Sequence, residues 1–357
     1  MTEVRFLPKA KMNAIGYEQL LAPFKLKNTP SSKSLTALKI HPGEEGNSSY
    51  IPAPLIKEII TALKLPENSC FLTDTTVLYG GRRMTAPDYM NLAYDHGFRI
   101  PELPPFIVAD GLTGTEEYYV KLPDSCQTDT ARLAAILAQT DNAVVISHFK
   151  GHLLAGFGGA IKHLGMGWAS KAGKLYQHSS VVPFINNKYC TLCEVCLAVC
   201  GVSAIEKKTS SIEINSDICT GCGECIGRCP SSAIKINWNQ ESDTFIRRMA
   251  EYAFAATTAT DIPVYVNFLI NISPDCDCMK NEGAYMVEDI GVLASSDPVA
   301  LDQASLDLVT QAQPIGDNAA VGQDKFKKIR PDRDGNKQLE IAEELGIGSR
   351  KYQLITI

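Results

Sequence analysis

Of the twelve cysteines in this 357-residue chain, eight fall between Cys190 and Cys229 in two runs, "CTLCEVCLAVC" and "CTGCGECIGRC". Each run reads C-x2-C-x2-C-x3-C. Thiolates at this spacing wrap a loop around an iron–sulfur cubane, and the fourth cysteine of each run serves the other cluster. The expected ligand sets are Cys190, Cys193, Cys196 and Cys229 for one [4Fe-4S] cluster, and Cys219, Cys222, Cys225 and Cys200 for a second. Thiolate pairs also hold tetrahedral zinc, but two tandem four-cysteine runs, the second followed by Pro230, fit iron–sulfur better. A disulfide framework belongs to small secreted domains, and the opening residues "MTEVRFLPKA" lack a basic-then-apolar signal.

An electron carrier needs only those cysteines, yet just upstream stands "SHFKGHLLAGFGGAIKHLGMG" (147–167). Gly156, Gly158 and Gly159 would allow a turn with exposed N–H groups, suited to an anion or phosphate. The spacing is neither a Walker loop nor a dinucleotide fingerprint. His148, His152, His163 and, further on, His178 are candidate ligands or acid–base groups. Lys150 and Lys162 are candidate partners for an anionic substrate. The structural alternative is glycines that permit close packing and histidines that are merely hydrogen-bonded. Cys276 and Cys278 in "SPDCDC" (273–278) could ligate an additional metal or line a reactive site. Cys70 and Cys126 read as structural.

These groups need a scaffold to bring them together. "SLTALKIH" (34–41), "CFLTD" (70–74), "FIVAD" (106–110), "AVVISH" (143–148) and "VYVNFLI" (264–270) read as strands. Helices are expected over 55–64, over 85–97 with Thr85 near the cap, over 129–140, over 242–259, and over 297–309 with Asp297 as cap. The alternation argues for an α/β fold with a largely parallel sheet flanked by helices. His41, Asp74, Asp110 and His148 each end a strand, and the last strand leads through Asn271 into "SPDCDC". Open α/β sheets bind ligands at that edge, so these residues join the candidate site, with Glu44, Asn47, Arg82 and Arg83 as possible companions. The internal repeat, 190–205 against 219–234, marks residues 183–238 as a small inserted α+β ferredoxin-like domain. The α/β unit is then 1–182 resumed at 239–357.

The net charge of −6 argues against a nucleic-acid surface. No apolar run approaches bilayer-spanning length, and a cytoplasmic protein with no membrane contact is expected.

Much of the chain is similar to the DUF362 family through "HPGEEGN" (41–47), "FLTDTTVLYGGRR" (71–83), "HGF" (96–98), "ADGL" (109–112), the 147–167 block, the twin cysteine runs and "SPDCDC". That resemblance implies fold and iron–sulfur cofactor, not substrate. The cysteine block resembles the bacterial two-cluster ferredoxins, with Gly201 where that family usually has proline, and implies electron transfer with a soluble partner of the ferredoxin or flavodoxin type. "HLLAGFGGAIK" resembles a segment of the nickel-pincer lactate racemases. There the matching positions imply an acid–base role for His152, nucleotide binding for Lys162 and nickel binding for His178. We take this as a shared active-site scaffold. Three functions stay open: an iron–sulfur oxidoreductase acting on a small anionic metabolite or bound cofactor, a carrier or cluster scaffold without its own substrate, and a non-redox isomerase or lyase.

Overall fold

The computed structural model describes residues 1–26, 34–179, 182–238, 242–279, 284–316 and 319–357. Eight strands make one sheet: β1 (Thr2–Pro8), β2 (Thr36–Lys39), β3 (Cys70–Asp74), β4 (Phe106–Val108), β5 (Asn142–His148), β6 (Asp261–Leu269), β7 (Gly291–Ser295) and β8 (Tyr352–Thr356). Their spatial order is β8-β1-β7-β6-β5-β2-β3-β4. Only β7 runs antiparallel to its neighbours; every other pair is parallel. The α/β reading therefore holds. β1, β7 and β8 form the half of the sheet that the sequence reading did not foresee.

Both faces are covered, so the central strands are buried and largely apolar, with polar residues toward their ends. Along β5, Val144 and Ile146 point to one core with the helices Ala53–Ala62 and Ala86–Asp95. Ala143 and Val145 point to the other, which holds Ile161 and Leu164 of the helix Ala160–Gly165 and Phe245 and Met249 of the helix Ser242–Ala259. The chain leaves β2 outward through β3 and β4, then returns to the other side of β2 for β5 and moves on to β6. The order reverses between β2 and β5, and a reversal of this kind opens a crevice beyond the carboxyl ends of the two strands.

The expected helix over 129–140 is not formed. Thr130–Ala134 is a strand paired antiparallel with Glu117–Lys121, followed by a 3-10 turn over Ala135–Gln139. The cause is a two-residue alternation: Ala131 and Leu133 are buried, while Thr130 and Arg132 turn outward. Arg132 reaches across the ladder to Glu117, Nη2 to Oε2 at 2.7 Å. The other expected helices form, that over Ser242–Ala259 within its expected bounds. Asp297 caps the helix Pro298–Gln311, accepting from the N–H groups of Val299 and Ala300.

Two of these helices touch through a glycine. A Cβ on Gly165 would stand 2.1 Å from the Met249 carbonyl oxygen. Backbone cannot yield as a side chain can, so Gly165→Ala is expected to cost about 1–3 kcal/mol, read as a lowered midpoint of denaturant unfolding.

Residues 183–238 carry an apolar cluster of their own, with Cys196, Ile205, Ile212, Cys225 and Ile234 inside it. Phe184–Ile185 pairs antiparallel with Ile234–Lys235, and Ile205–Lys207 with Ile212–Ile214. The repeat extends to the backbone. Leu192, Glu194 and Ser203 have positive φ, as do Gly221, Gly223 and Ser232 at the equivalent places of the second half. Among the described residues, no helix is long and apolar enough to cross a membrane.

Candidate functional site

The crevice is a cavity of about 430 Å³. Because β2, β3, β5 and β6 are parallel, the segments at their carboxyl ends gather at one edge. Lys39 and His41 come from β2, Asp74 and Thr75 from β3, and Cys276 and Cys278 from the turn after β6. After β5 the chain folds back as a short hairpin, Lys150–His152 against Gly156–Gly158, which delivers Lys150 and His152. The helix Ala160–Gly165 adds Lys162 and His163, and the helix Lys171–His178, capped by Ser170, adds Lys174 and His178. Leu78, Leu153, Leu154, Met166, Trp238 and Met279 complete a largely apolar wall.

Five cations line this space, and three of them are neutralised by carboxylates. Lys39 Nζ lies 2.6 Å from Asp74 Oδ1, Arg83 Nε 2.9 Å from Glu44 Oε2, and Lys150 Nζ 3.1 Å from Asp277 Oδ2. Burial works against the Asp74 charge, yet Lys39 and Arg83 hold its carboxyl well below the usual range. Lys162 and Lys174 have no carboxylate in an ion pair among the described residues. Lys162 Nζ lies 3.2 Å from Cys276 Sγ. Burial opposes its charge, but Cys276 and Cys278 raise its pKa. Lys174 donates to Thr75 Oγ1 and, at 2.6 Å, to the Ala169 carbonyl. Burial lowers it to about 8, with Asp110 opposing. The cavity is therefore net cationic.

The histidines are held uncharged. His41 faces two donors, the Gly43 N–H at 3.0 Å and Arg83 Nη1 at 2.8 Å. Burial first, and then Arg83, keeps its pKa well below normal. Nδ1 of His152 accepts from the N–H groups of Leu154 and Ala155, at 3.3 and 3.1 Å, which leaves the proton on Nε2. Burial and then Lys162 hold it neutral. His163 Nε2 accepts from Lys39 Nζ at 2.9 Å, and its pKa too lies far below normal through burial and then Lys39. Burial and then Lys162 depress His178 to about 3. Its Nδ1 is buried with no hydrogen-bond partner among the described residues.

Of the residues expected at the site, His41, Asp74, Lys150, His152, Gly159, Lys162, His163, His178, Cys276 and Cys278 line the cavity with Arg83, whereas His148, Asp110, Gly156, Gly158, Glu44, Asn47 and Arg82 do not. His148 lies beneath it. Its Nδ1 is 2.8 Å from Asp277 Oδ1 and its Nε2 2.7 Å from the Ile270 carbonyl, so both nitrogens face acceptors. Asp110 is spent on the N–H and hydroxyl of Thr76, at 2.9 and 2.8 Å. Gly156 packs on Gly335, and a Cβ on Gly158 would meet the Lys162 stem at 2.8 Å. The glycine turn is not an open anion cradle either. The N–H groups of Ala160 and Ile161 donate to the Asp302 carboxylate at 2.7 and 2.9 Å, and Gly159 lets that carboxylate approach. Lys39, Thr75, Tyr79 and Lys174 are cavity residues that the sequence reading missed. For Lys174 a signal was present, since Lys171, Lys174 and His178 share one helical face at spacings of three and four.

The thiols of the cysteine block fall into two sets. Cys190, Cys193, Cys196 and Cys229 line one small cavity. Around Cys225 stand Cys222, Cys219, Cys196 and Cys200; burial and then these neighbours push its thiol up to about 12. Among the described residues, no three His, Cys, Asp or Glu side chains converge as they would around a single metal ion. Cys276 and Cys278 thus lack the third such donor that a metal site of their own would need. Their sulfurs hydrogen-bond to each other: that bond lowers the Cys276 pKa far below normal, with Lys162 helping against burial, while Cys278 is raised. Leu78 belongs to both regions, lining the large cavity and sharing the apolar cluster that holds Cys196 and Cys225.

No curated protein matches the chain. Among solved structures, the chain is similar to the lactate racemase apoprotein from Thermoanaerobacterium thermosaccharolyticum, 12% identical with a TM-score of 0.39, the match covering 100% of this chain and 83% of that one. It is also similar to a protein from Thermotoga maritima, 11% identical with a TM-score of 0.42, covering 86% of this chain and 61% of that one. The family resemblance read from "HPGEEGN" through "SPDCDC" is upheld by the match over residues 36–307 to Domain of unknown function (DUF362), and the chain belongs to the DUF362 family.

Proposed function

We propose that the protein is an iron–sulfur oxidoreductase in which residues 183–238 are an inserted two-[4Fe-4S] ferredoxin-like domain and the cavity binds a small anionic substrate or cofactor. The observation that carries the reading is Leu78, a side chain that shares one apolar cluster with Cys196 and Cys225 and also lines the cavity. The donor chemistry fits: Cys190, Cys193, Cys196 and Cys229 line one small cavity, and Cys219, Cys222 and Cys200 stand near Cys225, at the spacing that suits iron–sulfur clusters. Bound clusters would supply single electrons, drawn from a soluble ferredoxin- or flavodoxin-type partner.

The chain's own residues do the rest. Lys162 and Lys174, the cations without carboxylates, hold the anion, and Trp238 and the aliphatic wall take its apolar body. Protons come from an ammonium group. The cavity histidines are neutral at pH 7 and cannot act as imidazolium acids, whereas a Lys174 near 8 is matched to that task. An isomerase or lyase is the second reading, favoured by His152 and Lys162 facing one cavity. Turnover indifferent to the oxidation state of the clusters would select it.

The test is chemical analysis of anaerobically purified protein. Iron and acid-labile sulfide in equal amounts, with reducible clusters by electron paramagnetic resonance, are expected; zinc in their place would sink the reading. Benzoate, a carboxylate on an apolar body, serves as a binding probe. Its affinity should be flat at pH 6–7 and fall by up to about tenfold per pH unit above about 8, as Lys174 loses its proton. Calorimetric titration across that range checks the sign.

A further inference from the structure

The turn after β6 carries a second chemistry. Asp277 is fully buried, tied to His148 Nδ1 at 2.8 Å and to Lys150 at 3.1 Å. With the middle residue anchored beneath the floor, its two neighbours, Cys276 and Cys278, face the cavity. The Met279 N–H donates to the Cys276 carbonyl at 2.9 Å and closes a β-turn with Cys276 at its first position and Cys278 at its third. A turn of this kind draws first and third Cα atoms into the separation a disulfide spans, about 4.4–6.8 Å. The hairpin behind it is braced as well: Gly151 donates to the Ser273 carbonyl at 2.8 Å, and a Cβ there would stand 2.0 Å from the Pro274 carbonyl oxygen. Lys162 Nζ, 3.2 Å from Cys276 Sγ, supplies the positive charge that a thiolate needs beside it.

We propose that Cys276 and Cys278 are a redox-active dithiol that reduces small anionic disulfides by thiol–disulfide exchange in the cavity. The Cys276 thiolate attacks one sulfur of the substrate disulfide. A mixed disulfide forms on Cys276, and the other half leaves as a thiolate that takes up a proton. Cys278 then loses its proton and attacks Cys276 Sγ, so a Cys276–Cys278 disulfide forms and the second half departs as a thiol. One dithiol and one disulfide become one disulfide and two thiols, and electrons balance without an external oxidant. Lys162 attracts the anionic substrate and steadies both the attacking and the departing sulfur. The site does not depend on the clusters, so its failure and theirs are separable.

The experiment uses the full chain, purified anaerobically and equilibrated with glutathione and glutathione disulfide at pH 7. Samples are quenched with N-ethylmaleimide and mapped by mass spectrometry. The peptide holding Cys276 and Cys278 should lose both maleimide adducts together, in one two-electron transition. Cys278→Ser should trap a glutathione adduct on Cys276. Lys162→Met should slow alkylation of Cys276 by iodoacetamide about tenfold with Cys126 unchanged, and Lys162→Arg should restore the rate. If Cys276 and Cys278 stay alkylatable at every glutathione ratio, or Cys278→Ser takes up no adduct, the proposal is wrong. The trapping experiment decides by itself should Lys162→Met fail to fold.

Discussion

Asp277→Ala should cost the fold about 3–5 kcal/mol, the range for breaking a buried ion pair from one side. His148 and Lys150 are nearly as buried as Asp277 itself, and both are held by this carboxylate. Removing it leaves the Lys150 ammonium under the cavity floor without its anion and His148 Nδ1 without its partner. Asp277→Asn keeps the shape and one acceptor oxygen, so it should lie between alanine and the parent. Denaturant unfolding of the reduced protein measures both. The pH dependence has a definite sign. Burial opposes the Asp277 charge, but His148 and Lys150 overcome it and hold the carboxyl well below its usual range. A carboxyl depressed in the folded state stabilises fully above the unfolded value of about 3.9, and that stability is lost as pH falls toward the folded value. The alanine variant should accordingly lose part of the acid sensitivity of the parent below about pH 4.

Cys225→Ser should bring iron and sulfide on anaerobically purified protein down to about half of the parent value, because Cys225 would ligate only one of the two proposed clusters. The proposed ligand set puts Cys225 with Cys219, Cys222 and Cys200, and its side chain is buried in the apolar cluster that holds Leu78. Serine would put a hard oxygen where a soft thiolate is wanted, inside an apolar cluster that cannot easily rearrange. Cys196→Ser should remove the other half, and the double variant nearly all. Equal metal in the single variants and the parent would mean that the two sets do not act as separate sites. Zinc recovered in place of iron would end the oxidoreductase reading altogether.

Much of this was open to reading in one dimension because the relevant periods are short. The runs at 190–200 and 219–229 carry the proposed cluster chemistry in their spacing, since a loop wrapped around a cluster would draw its ligands from neighbouring positions. The strands "CFLTD" and "AVVISH" show as apolar runs, and the helix over 242–259 by its pattern. The error at 129–140 has a physical source. Apolar residues are frequent enough there to suggest a helix, and only the pairing of Arg132 with Glu117 across a ladder selects the two-residue alternation. The terminal strands β1 and β8 pair with each other across nearly the whole chain, and no local pattern announces such a partner.

The candidate site divides along the same line. Residue type and position at strand ends were enough to bring His41, Asp74, His152, Lys162 and the pair Cys276 and Cys278 into consideration. Whether such a residue faces the cavity or supports it from below depends on partners far away in sequence: Asp277 draws His148 under the floor, Thr76 occupies Asp110, and Asp302 takes the N–H groups of the glycine turn. Protonation was out of reach for the same reason, because the neutral histidines and the lowered Lys174 result from burial and from charges brought in by other strands. The sequence by itself determined the thiol spacing, the α/β alternation and the family, all of which are local or periodic properties of the chain. Only the tertiary structure decided which charged side chains share one enclosed space, since burial and Coulomb interactions depend on distances through space and not along the chain.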